Sequence, residues 1–424
     1  MAAPDTPLPA PAGHARLPLV FILLTVMIDS MGIGLIIPVM PDLIREVGGG
    51  TLSEAAIWGG LLTTSFAVMQ FLFGPALGSL SDRIGRRPVL LVSLGFLALD
   101  YLIMAVAGTI WLLLAGRVMG GITAATQSVA AAYVADISRP EQKAARFGLV
   151  GAAFGIGFVI GPLLGGLLAG FGTRAPFYAA AGLAAANMVF GFFVLPETLK
   201  PENRRAFQWR RANPLGALLA LNALTEVRRP LLIFFVYSIA FWVYPSVWAF
   251  YTRASFGWDP AMVGLSLAGF GIALAGVQGG LIRVILRAFG DRGTVLYGLA
   301  FYTVVFGVFA FLTNGTAALI LTPISALGAV VTPALQGIMS RAVPDNAQGE
   351  LQGVLASVNA LSMVFSPLLM TQVFAAFTAP DGPVWFPGAP FLLSMALMLL
   401  CLAIHLAGSG PRVEASASRQ KGTR

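Results

Sequence analysis

The segment at positions 17–40, LPLVFILLTVMIDSMGIGLIIPVM, is predominantly apolar and contains one ionisable group, the carboxylate of Asp29. About 20 apolar residues are enough for a helix to cross a bilayer, so this segment can span one. Similar segments recur along the chain, which has a mean hydropathy of +0.84 and only 10% charged residues. Soluble proteins are about one quarter charged. We therefore expect an integral membrane protein.

Twelve candidate spans are separated by charged or Pro/Gly-rich interruptions. Strands of a membrane β-barrel are only about 10 residues long and alternate in polarity, so these longer apolar runs exclude a barrel. The predicted fold class is an all-α membrane protein with two bundles of six transmembrane helices. The expected spans are 17–40, 56–80, 88–108, 110–136, 146–171, 176–196, 230–252, 260–286, 294–313, 316–340, 351–377 and 385–408.

The longest polar interruption divides these spans six and six. The predicted divisions are a disordered tail at 1–16, an N-terminal bundle at 17–196, a central loop at 197–229, a C-terminal bundle at 230–408 and a second disordered tail at 409–424. Within the central loop, the segment 213–227 is expected to form a helix that lies on the membrane surface.

An internal repeat relates the two halves at an offset of 205 residues. This offset aligns RIGRRPVL with RAFGDRGTVL, placing Gly85 over Gly290, and also aligns Pro162 with Pro367. Six-helix repeats of this kind place a substrate site near the middle of the membrane, between the repeats. The repeat favours a transporter over a channel or a membrane enzyme.

Basic residues are distributed unevenly between the predicted loops. Cytoplasmic loops collect Lys and Arg, and with both termini cytoplasmic, 22 of the 26 basic residues fall on the inner side. We expect a multi-pass protein of a cell membrane, a bacterial inner membrane, with both termini cytoplasmic. The formal net charge of +8 is then explained by anchoring at the inner surface, and it does not imply a nucleic-acid partner.

Three ionisable residues fall inside predicted spans: Asp29, Asp100 and Arg117. A charged side chain at the centre of a membrane costs about 2.5–3.5 kcal/mol to insert, so such residues usually face a cavity and carry function. We predict that Asp29 or Asp100 alternately binds a proton and a substrate, with Arg117 nearby. The alternative is an Asp–Arg pair that only holds helices together.

The loop after the second span reads GSLSDRIGRRPVL. Its pattern, G-x-L-x-D-R-x-G-R-R, resembles the loop motif of the major facilitator superfamily. The resemblance implies a conformational latch in which Asp82 caps a helix or bridges to the other half, while Arg83 or Arg86 reaches an acid at the end of the fourth span. The predicted gating residues are Gly78, Asp82, Arg83, Gly85, Arg86 and Asp136.

The fifth span contains the glycine-rich pattern G-x-x-x-G-P-x-x-G-G. In the superfamily this pattern resembles the antiporter signature, which implies export rather than uptake. Taken alone, it would indicate close packing of helices, because glycines allow backbones to approach in lipid. The residues are Gly157, Gly161, Pro162, Gly165 and Gly166.

Segments spread over nearly the whole chain resemble the tetracycline/proton antiporter branch, among them IDSMGIGLIIPVMP, LDYLIMA and PALQGIMSRAVPDNAQGELQG. By position, the resemblance implies proton coupling at Asp29, Asp100 and Arg117. It also implies a substrate cavity lined by Asp29, Arg117, Gln70 and, in the eighth span, Gln278. It also shows two departures, because the histidine of that branch falls at Leu274 and its aspartate in the ninth span falls at Tyr302. Coupling to protons would then rest on Asp29 and Asp100.

The seventh span carries the aromatic segment IAFWVYPSVWAFY. Such residues often pack between helices or at membrane interfaces. Alternatively, Trp242 and Tyr244 line an apolar cavity for a drug-like molecule, in which a few polar groups fix orientation.

The leading hypothesis is a carrier that exports an amphiphilic small molecule, tetracycline-like or related, in exchange for protons by alternating access. It would need no cofactor or metal and would act as a monomer. The second hypothesis is uptake of a metabolite by symport or uniport. The third is a membrane enzyme or sensor, which we disfavour because the sequence has no H-E-x-x-H, G-x-S-x-G or G-x-x-x-x-G-K motif.

Overall fold

The computed structural model describes residues 16–124, 126–199, 201–205, 227–344, 347–382 and 384–407. Across these ranges the regular structure is helical and no strand occurs, which confirms the all-α prediction. Most of the proposed surface helix at 213–227, the tail at 409–424 and nearly all of the tail at 1–16 lie outside the described residues.

Sixteen α-helices occur in these ranges. They are α1 Arg16–Ile36, α2 Met40–Gly48, α3 Leu52–Ile84, α4 Arg86–Val106, α5 Ile110–Thr123, α6 Thr126–Ile137, α7 Pro140–Leu168, α8 Ala175–Val194, α9 Arg228–Phe241, α10 Val243–Phe256, α11 Pro260–Gly276, α12 Ile282–Phe311, α13 Gly315–Ser325, α14 Val331–Ala342, α15 Gln348–Ala376 and α16 Ala389–Leu406. A π-helical turn at Val277–Leu281 joins α11 to α12.

Eleven helical segments in the described ranges are long and apolar enough to cross a membrane, and one of them contains two spans. The segment Pro260–Phe311 has 52 residues, more than twice what a bilayer requires. It is interrupted at Gly290, which has a φ of 63° and does not continue the helix. Dividing the segment there gives spans 8 and 9, which confirms the twelve predicted spans.

The remaining spans follow the helices in order. Spans 1, 2 and 3 are α1, α3 and α4, while α5 and α6 together form span 4, and spans 5 and 6 are α7 and α8. In the second half, α9 with α10 forms span 7, α13 with α14 forms span 10, and α15 and α16 are spans 11 and 12. The short helix α2 lies between spans 1 and 2.

Helices pack mainly within their own half. Span 1 lies against spans 5 and 6 and span 3 against span 6, whereas span 12 lies against spans 7 and 9. Two large contacts join the halves, between spans 2 and 11 and between spans 5 and 8. In the repeat, span 2 corresponds to span 8 and span 5 corresponds to span 11. A pseudo-twofold axis between the halves therefore relates the two contacts to each other.

The halves touch at only one end of the bundle within the described residues. We call the end that carries the turn at Gly85 and the segment 283–292 the basic end, and the end that carries α2 the opposite end. From the opposite end to mid-membrane, glycines of spans 2, 5 and 8 press against the other half; examples are Gly60 on Thr371, Gly166 on Pro260 and Gly264 on Pro162.

Toward the basic end, glycines of the same helices have open space where a Cβ would stand. They are Gly74, Gly78, Gly148, Gly151, Gly155, Gly276, Gly279 and Gly280. The two halves therefore diverge toward the basic end, and the structure is open on that side.

Candidate functional site

Asp29 lies midway along span 1 and is half-buried. The side chain of Gln127, on α6, lies within hydrogen-bonding reach of its carboxylate. Asp29 forms no ion pair with any residue in the described part of the chain. Its hydrogen-bonding neighbour is thus a neutral amide, and no described basic residue compensates the charge of the carboxylate.

Asp100 and Arg117 form an ion pair between spans 3 and 4. Asp100 is completely buried and Arg117 is 9% exposed. The pair is not fully satisfied, because Asp100 Oδ1 and Arg117 Nε have no hydrogen-bond partner among the described residues. The predicted proximity of Arg117 to an acid is therefore found at Asp100, and the pair joins spans 3 and 4 as the helix-joining alternative expects.

Glycines in span 4 make room for the pair. A side chain on Gly116 or Gly120 would contact the Asp100 carboxylate, because these residues follow the same face of α5. Gly121 lies against the backbone of Phe66 in span 2, and the Arg117 guanidinium stands 4.9 Å from the Phe66 ring centroid. The pair is thereby held between spans 2, 3 and 4.

Tyr101 connects the two acidic positions. It follows Asp100 in span 3 and is 2% exposed, and its hydroxyl packs against Gly32 one turn after Asp29. Tyr101 is close enough to Asp29, Asp100 and Arg117 to interact electrostatically with all three. Asp29 and the ion pair therefore belong to one polar cluster inside the N-terminal half.

The glycines of span 5 set the position of span 1. A Cβ on Gly157, Gly161 or Gly165 would overlap the backbone of α1 at the carbonyl groups of Met27, Met31 and Leu35, in that order. Ser30 fixes the same interface by donating a hydrogen bond to the Phe154 carbonyl at 2.6 Å. Because Asp29 lies between Met27 and Met31, this packing fixes its depth in the membrane.

Two members of the span 5 motif, Pro162 and Gly166, face the other half. Gly166 contacts the backbone of Pro260 and Ala261 at the start of span 8, and the Pro162 carbonyl contacts Gly264. The motif thus supports close helix packing on two sides, within the half and across the interface.

The polar and aromatic positions assigned to the cavity lie in different surroundings. Gln70 is half-buried in span 2, and Gln278 is exposed in the π-helical turn of span 8. Such turns frequently mark functional sites. Trp242 is half-buried at the junction of α9 and α10. These three positions stay predictions.

Tyr244 is 3% exposed and belongs to an aromatic cluster in the core of the C-terminal half. Its ring lies 5.4 to 6.2 Å from those of Phe241, Trp248, Phe270, Phe306, Phe309 and Phe391. This surrounding favours the packing alternative for Tyr244 over the cavity-lining one.

The two departures from the tetracycline branch also lie in apolar surroundings. Tyr302 is fully buried and stacks on Phe306 at 5.3 Å, within the same aromatic cluster. Leu274 is half-buried in span 8. The C-terminal half therefore has neither a carboxylate nor a histidine at these two positions.

The predicted latch is assembled around Arg86 at the basic end. Arg86 pairs with Asp82 at 2.5 Å and with Asp136 at 3.2 Å, and it donates to Ser81 Oγ at 2.6 Å. The contact between Arg86 and Asp136 is the one expected from the sequence. Asp82 pairs within its own half in this conformation, and Arg83 is exposed without an ion pair to a described residue.

Glu197, which the sequence did not single out, completes this cluster. Its carboxylate accepts hydrogen bonds from the backbone N–H groups of Arg86 and Arg87 at 3.0 and 3.1 Å, at the start of α4. Gly85 has a φ of 116°, which favours glycine, and a side chain there would overlap Glu197. Acidic side chains are favoured at helix N-termini. Glu197, however, lies over 100 residues after the start of α4, so the sequence does not indicate which helix it contacts.

The C-terminal half repeats this cluster with the charges inverted. At the offset of 205 residues, Asp82, Arg86 and Asp136 correspond to Arg287, Asp291 and Arg341. Arg341 and Asp291 form the equivalent ion pair at 2.5 Å. The N-terminal set has two acids and one base, whereas the C-terminal set has two bases and one acid.

The sequence matches the family model described as Major Facilitator Superfamily over residues 22–367, most of the chain. The chain belongs to the major facilitator superfamily. The matched range includes the loop motif around Arg86, the span 5 glycines and the three intramembrane charges.

Two curated relatives place the chain more narrowly within the superfamily. It is 40% identical over 395 residues to the tetracycline resistance protein, class C, of Escherichia coli, covering 93% of this chain and 98% of that protein. It is 33% identical over 396 residues to the class B protein of Escherichia coli, with the same coverage. This similarity confirms the predicted resemblance to the tetracycline-resistance branch.

Solved structures show the same fold at lower sequence identity. A bacterial homolog of the human lysosomal transporter Spinster has a TM-score of 0.76 at 14% identity, covering 94% of this chain and 98% of that chain. The human organic anion transporter MFSD10 has a TM-score of 0.69 at 24% identity, covering 93% and 100%. Both support the fold of two six-helix bundles.

Proposed function

We propose that this superfamily member exports an amphiphilic small molecule, tetracycline-like or related, in exchange for protons. The observation that carries the proposal is Asp29, an intramembrane carboxylate beside a neutral amide rather than a base. The relatives named as tetracycline resistance proteins support drug export over the metabolite-uptake alternative.

Asp29 is the group that alternates between proton and substrate in this proposal. When the halves are open at the basic end, substrate enters and displaces the proton from Asp29. When they open at the opposite end, a proton from outside replaces the substrate. Proton and substrate then compete for one carboxylate, and the exchange is obligatory when the halves change conformation only with Asp29 occupied.

The Asp100–Arg117 pair has a supporting role in this account. Because the two charges neutralise each other and are buried, the pair leaves Asp29 as the net charge of the cluster. Its position beside Tyr101 fixes the helix faces that surround Asp29. Gln70, Gln278 and Trp242 supply the polar and aromatic contacts to the substrate.

The basic end is the cytoplasmic side in our proposal, and both termini are then cytoplasmic. Cytoplasmic loops carry an excess of Lys and Arg, and here they cluster around Arg86, Arg287 and Arg341. The structure is accordingly open to the cytoplasm, ready to load substrate for export. The protein acts as a monomer, because each chain contains both halves of the transport pathway.

The test measures proton movement in inside-out membrane vesicles energised to accumulate protons. Addition of tetracycline, and of neutral and cationic amphiphiles, should release protons in the wild type for each transported compound. Asp29→Asn should abolish this release, whereas Glu350→Gln, at an exposed position, should retain it. Release at the wild-type rate in Asp29→Asn would remove Asp29 from coupling, and absence of release for every compound would refute the antiporter.

A further inference from the structure

The short helix α2 carries two acidic residues one turn apart, and each forms an ion pair with a different half of the molecule. Glu46 pairs with Arg174, between spans 5 and 6, at 2.8 Å. Asp42 pairs with Arg253, near the end of span 7. Because α2 belongs to the N-terminal half, the first pair lies within that half and the second joins the two halves.

The anchor of α2 to its own half is firm. Arg174, the partner of Glu46, also donates a hydrogen bond to the Ala105 carbonyl of span 3 at 2.7 Å. Leu43 and Ile44, which belong to α2, are fully or almost fully buried. The helix is therefore fixed on the N-terminal half, and Asp42 projects toward the C-terminal half.

The ion pair between Asp42 and Arg253 is one of several contacts that join the two halves at the opposite end. Ser53 of span 2 and Thr378, which follows span 11, also share a hydrogen bond between the halves at 2.9 Å, and both residues are buried. Gly59 of span 2 lies against Phe250 of span 7. To open this end, the halves must separate at all of these contacts, so the ion pair must break.

Arg253 has a second acid within electrostatic range, and this acid belongs to its own half. Asp259 caps the start of span 8 by accepting a hydrogen bond from the Met262 N–H, and it interacts with Arg253. When Asp42 moves away, Arg253 keeps a negatively charged neighbour. The pair can therefore break without leaving an isolated charge, as a reversible latch requires.

We propose that Asp42 and Arg253 form a latch that holds the transporter shut at the opposite end and that must break before substrate is released there. The latch acts on the conformational equilibrium whatever the substrate, so it does not rest on the proposed drug or proton coupling. It predicts that weakening the pair raises the population that is open at the opposite end.

The experiment measures how often this end opens. Cys401 is the single cysteine, so Cys401→Ala gives a background in which Ser53→Cys is the sole thiol. Its labelling by a membrane-impermeant maleimide, added on the α2 side of proteoliposomes, reports exposure of the buried Ser53 position. Asp42→Asn should raise the labelling rate about threefold, the factor that a partly exposed ion pair typically supplies.

Glu46→Gln is the matched control. Glu46 and Arg174 have side-chain exposures of 44% and 29%, and Asp42 and Arg253 have 26% and 22%, but only the second pair joins the halves. Labelling should stay unchanged in Glu46→Gln. In the double variant Asp42→Asn with Arg253→Gln, labelling should rise no further than in the stronger single variant, because coupled residues are not additive.

A salt titration tests the latch without altering either residue. Raising ionic strength should speed labelling when Asp42 and Arg253 are intact and have little effect in Asp42→Asn, because salt screens exposed pairs. Equal effects of Asp42→Asn and Glu46→Gln, or salt dependence that persists in Asp42→Asn, would overturn the proposal. Transport assays are not needed, so failure here is distinct from failure of the antiport proposal.

Discussion

At the level of single residues, the two intramembrane acids differ in what surrounds them. Asp100 is buried against Arg117, whereas Asp29 is half-buried beside Gln127. A buried ion pair is sensitive to the loss of one member, because the remaining charge lacks compensation. Asp100 is therefore expected to affect stability, and Asp29 to affect coupling.

Removing one member of the pair tests this distinction. Asp100→Asn should lower the free energy of unfolding by about 3–5 kcal/mol, the usual cost of leaving a buried charge unpaired. The double variant with Arg117→Gln should recover part of that loss. Thermal unfolding of the purified protein in detergent checks both values; a double variant less stable than Asp100→Asn would contradict the pairing account.

The sequence identified the charged members of this cluster but not their pairing. Asp29, Asp100 and Arg117 could be recognised because ionisable residues are conspicuous in apolar spans. Gln127 and Tyr101 were missed because a neutral polar or aromatic residue in a membrane helix carries no comparable signal. Which acid pairs with Arg117 depends on the rotation of spans 1, 3 and 4 about their axes, which hydropathy does not specify.

At the level of elements, span 5 combines two packing surfaces. Gly157, Gly161 and Gly165 face span 1 within the half, and Gly166 faces span 8 across the interface. The spacing of four residues places the first three on one face of a helix. The glycine motif thus positions span 1, and Asp29 with it, while leaving one edge to meet the other half.

Replacing two different glycines of span 5 by valine tests whether transport depends on the contact between span 5 and span 1 or on glycine itself. Gly161→Val should reduce transport at least about tenfold, because a side chain there overlaps the backbone of α1 and overpacking typically costs 1–3 kcal/mol. Gly155→Val should retain most activity, since no atom lies within 4 Å of the added Cβ. Vesicle transport normalised to protein level checks the pair; equal losses would contradict this packing role.

The two charge clusters at the basic end are equivalent by repeat but unequal in their surroundings. Arg86 is 11% exposed with three side-chain partners, whereas Arg341 is 60% exposed and has one ion-pair partner. Exposed pairs contribute about 0–1 kcal/mol. We therefore expect different consequences when each arginine is replaced.

Arg86→Gln should destabilise the protein clearly, and Arg341→Gln should change the free energy of unfolding by less than about 1 kcal/mol. The comparison is made by thermal unfolding of the two variants in one detergent. A larger loss of unfolding free energy in Arg341→Gln than in Arg86→Gln would contradict the expectation that the less exposed cluster contributes more to stability.

At the level of the whole molecule, hydropathy and the repeat were enough to predict twelve spans in two halves. Spans 8 and 9 show how closely the span boundaries were predicted. Span 8 was predicted to end at 286 and span 9 to begin at 294, and Gly290 interrupts the helix between them. The conformation could not be predicted in the same way. Whether the halves meet at one end or the other depends on small differences between contacts such as Asp42–Arg253, and both arrangements satisfy one hydropathy pattern.

The inverted charges at the basic end have a consequence for alternating access. Closure there would bring Asp82 and Asp136 of one half toward Arg287 and Arg341 of the other. Electrostatic attraction would then favour closure at the basic end, while the Asp42–Arg253 pair opposes opening at the other. Transport requires both sets of contacts to form and break in turn.

The most direct test of the account compares two modes of transport in Asp29→Asn. Exchange of labelled for unlabelled substrate across a vesicle membrane needs alternating access but no net proton movement, whereas uphill accumulation needs proton coupling. We predict that Asp29→Asn loses proton-driven accumulation, because the proposed proton-binding group is removed, and retains exchange, because Gln70, Gln278 and Trp242 still contact the substrate. Accumulation at the wild-type level in Asp29→Asn would contradict the account.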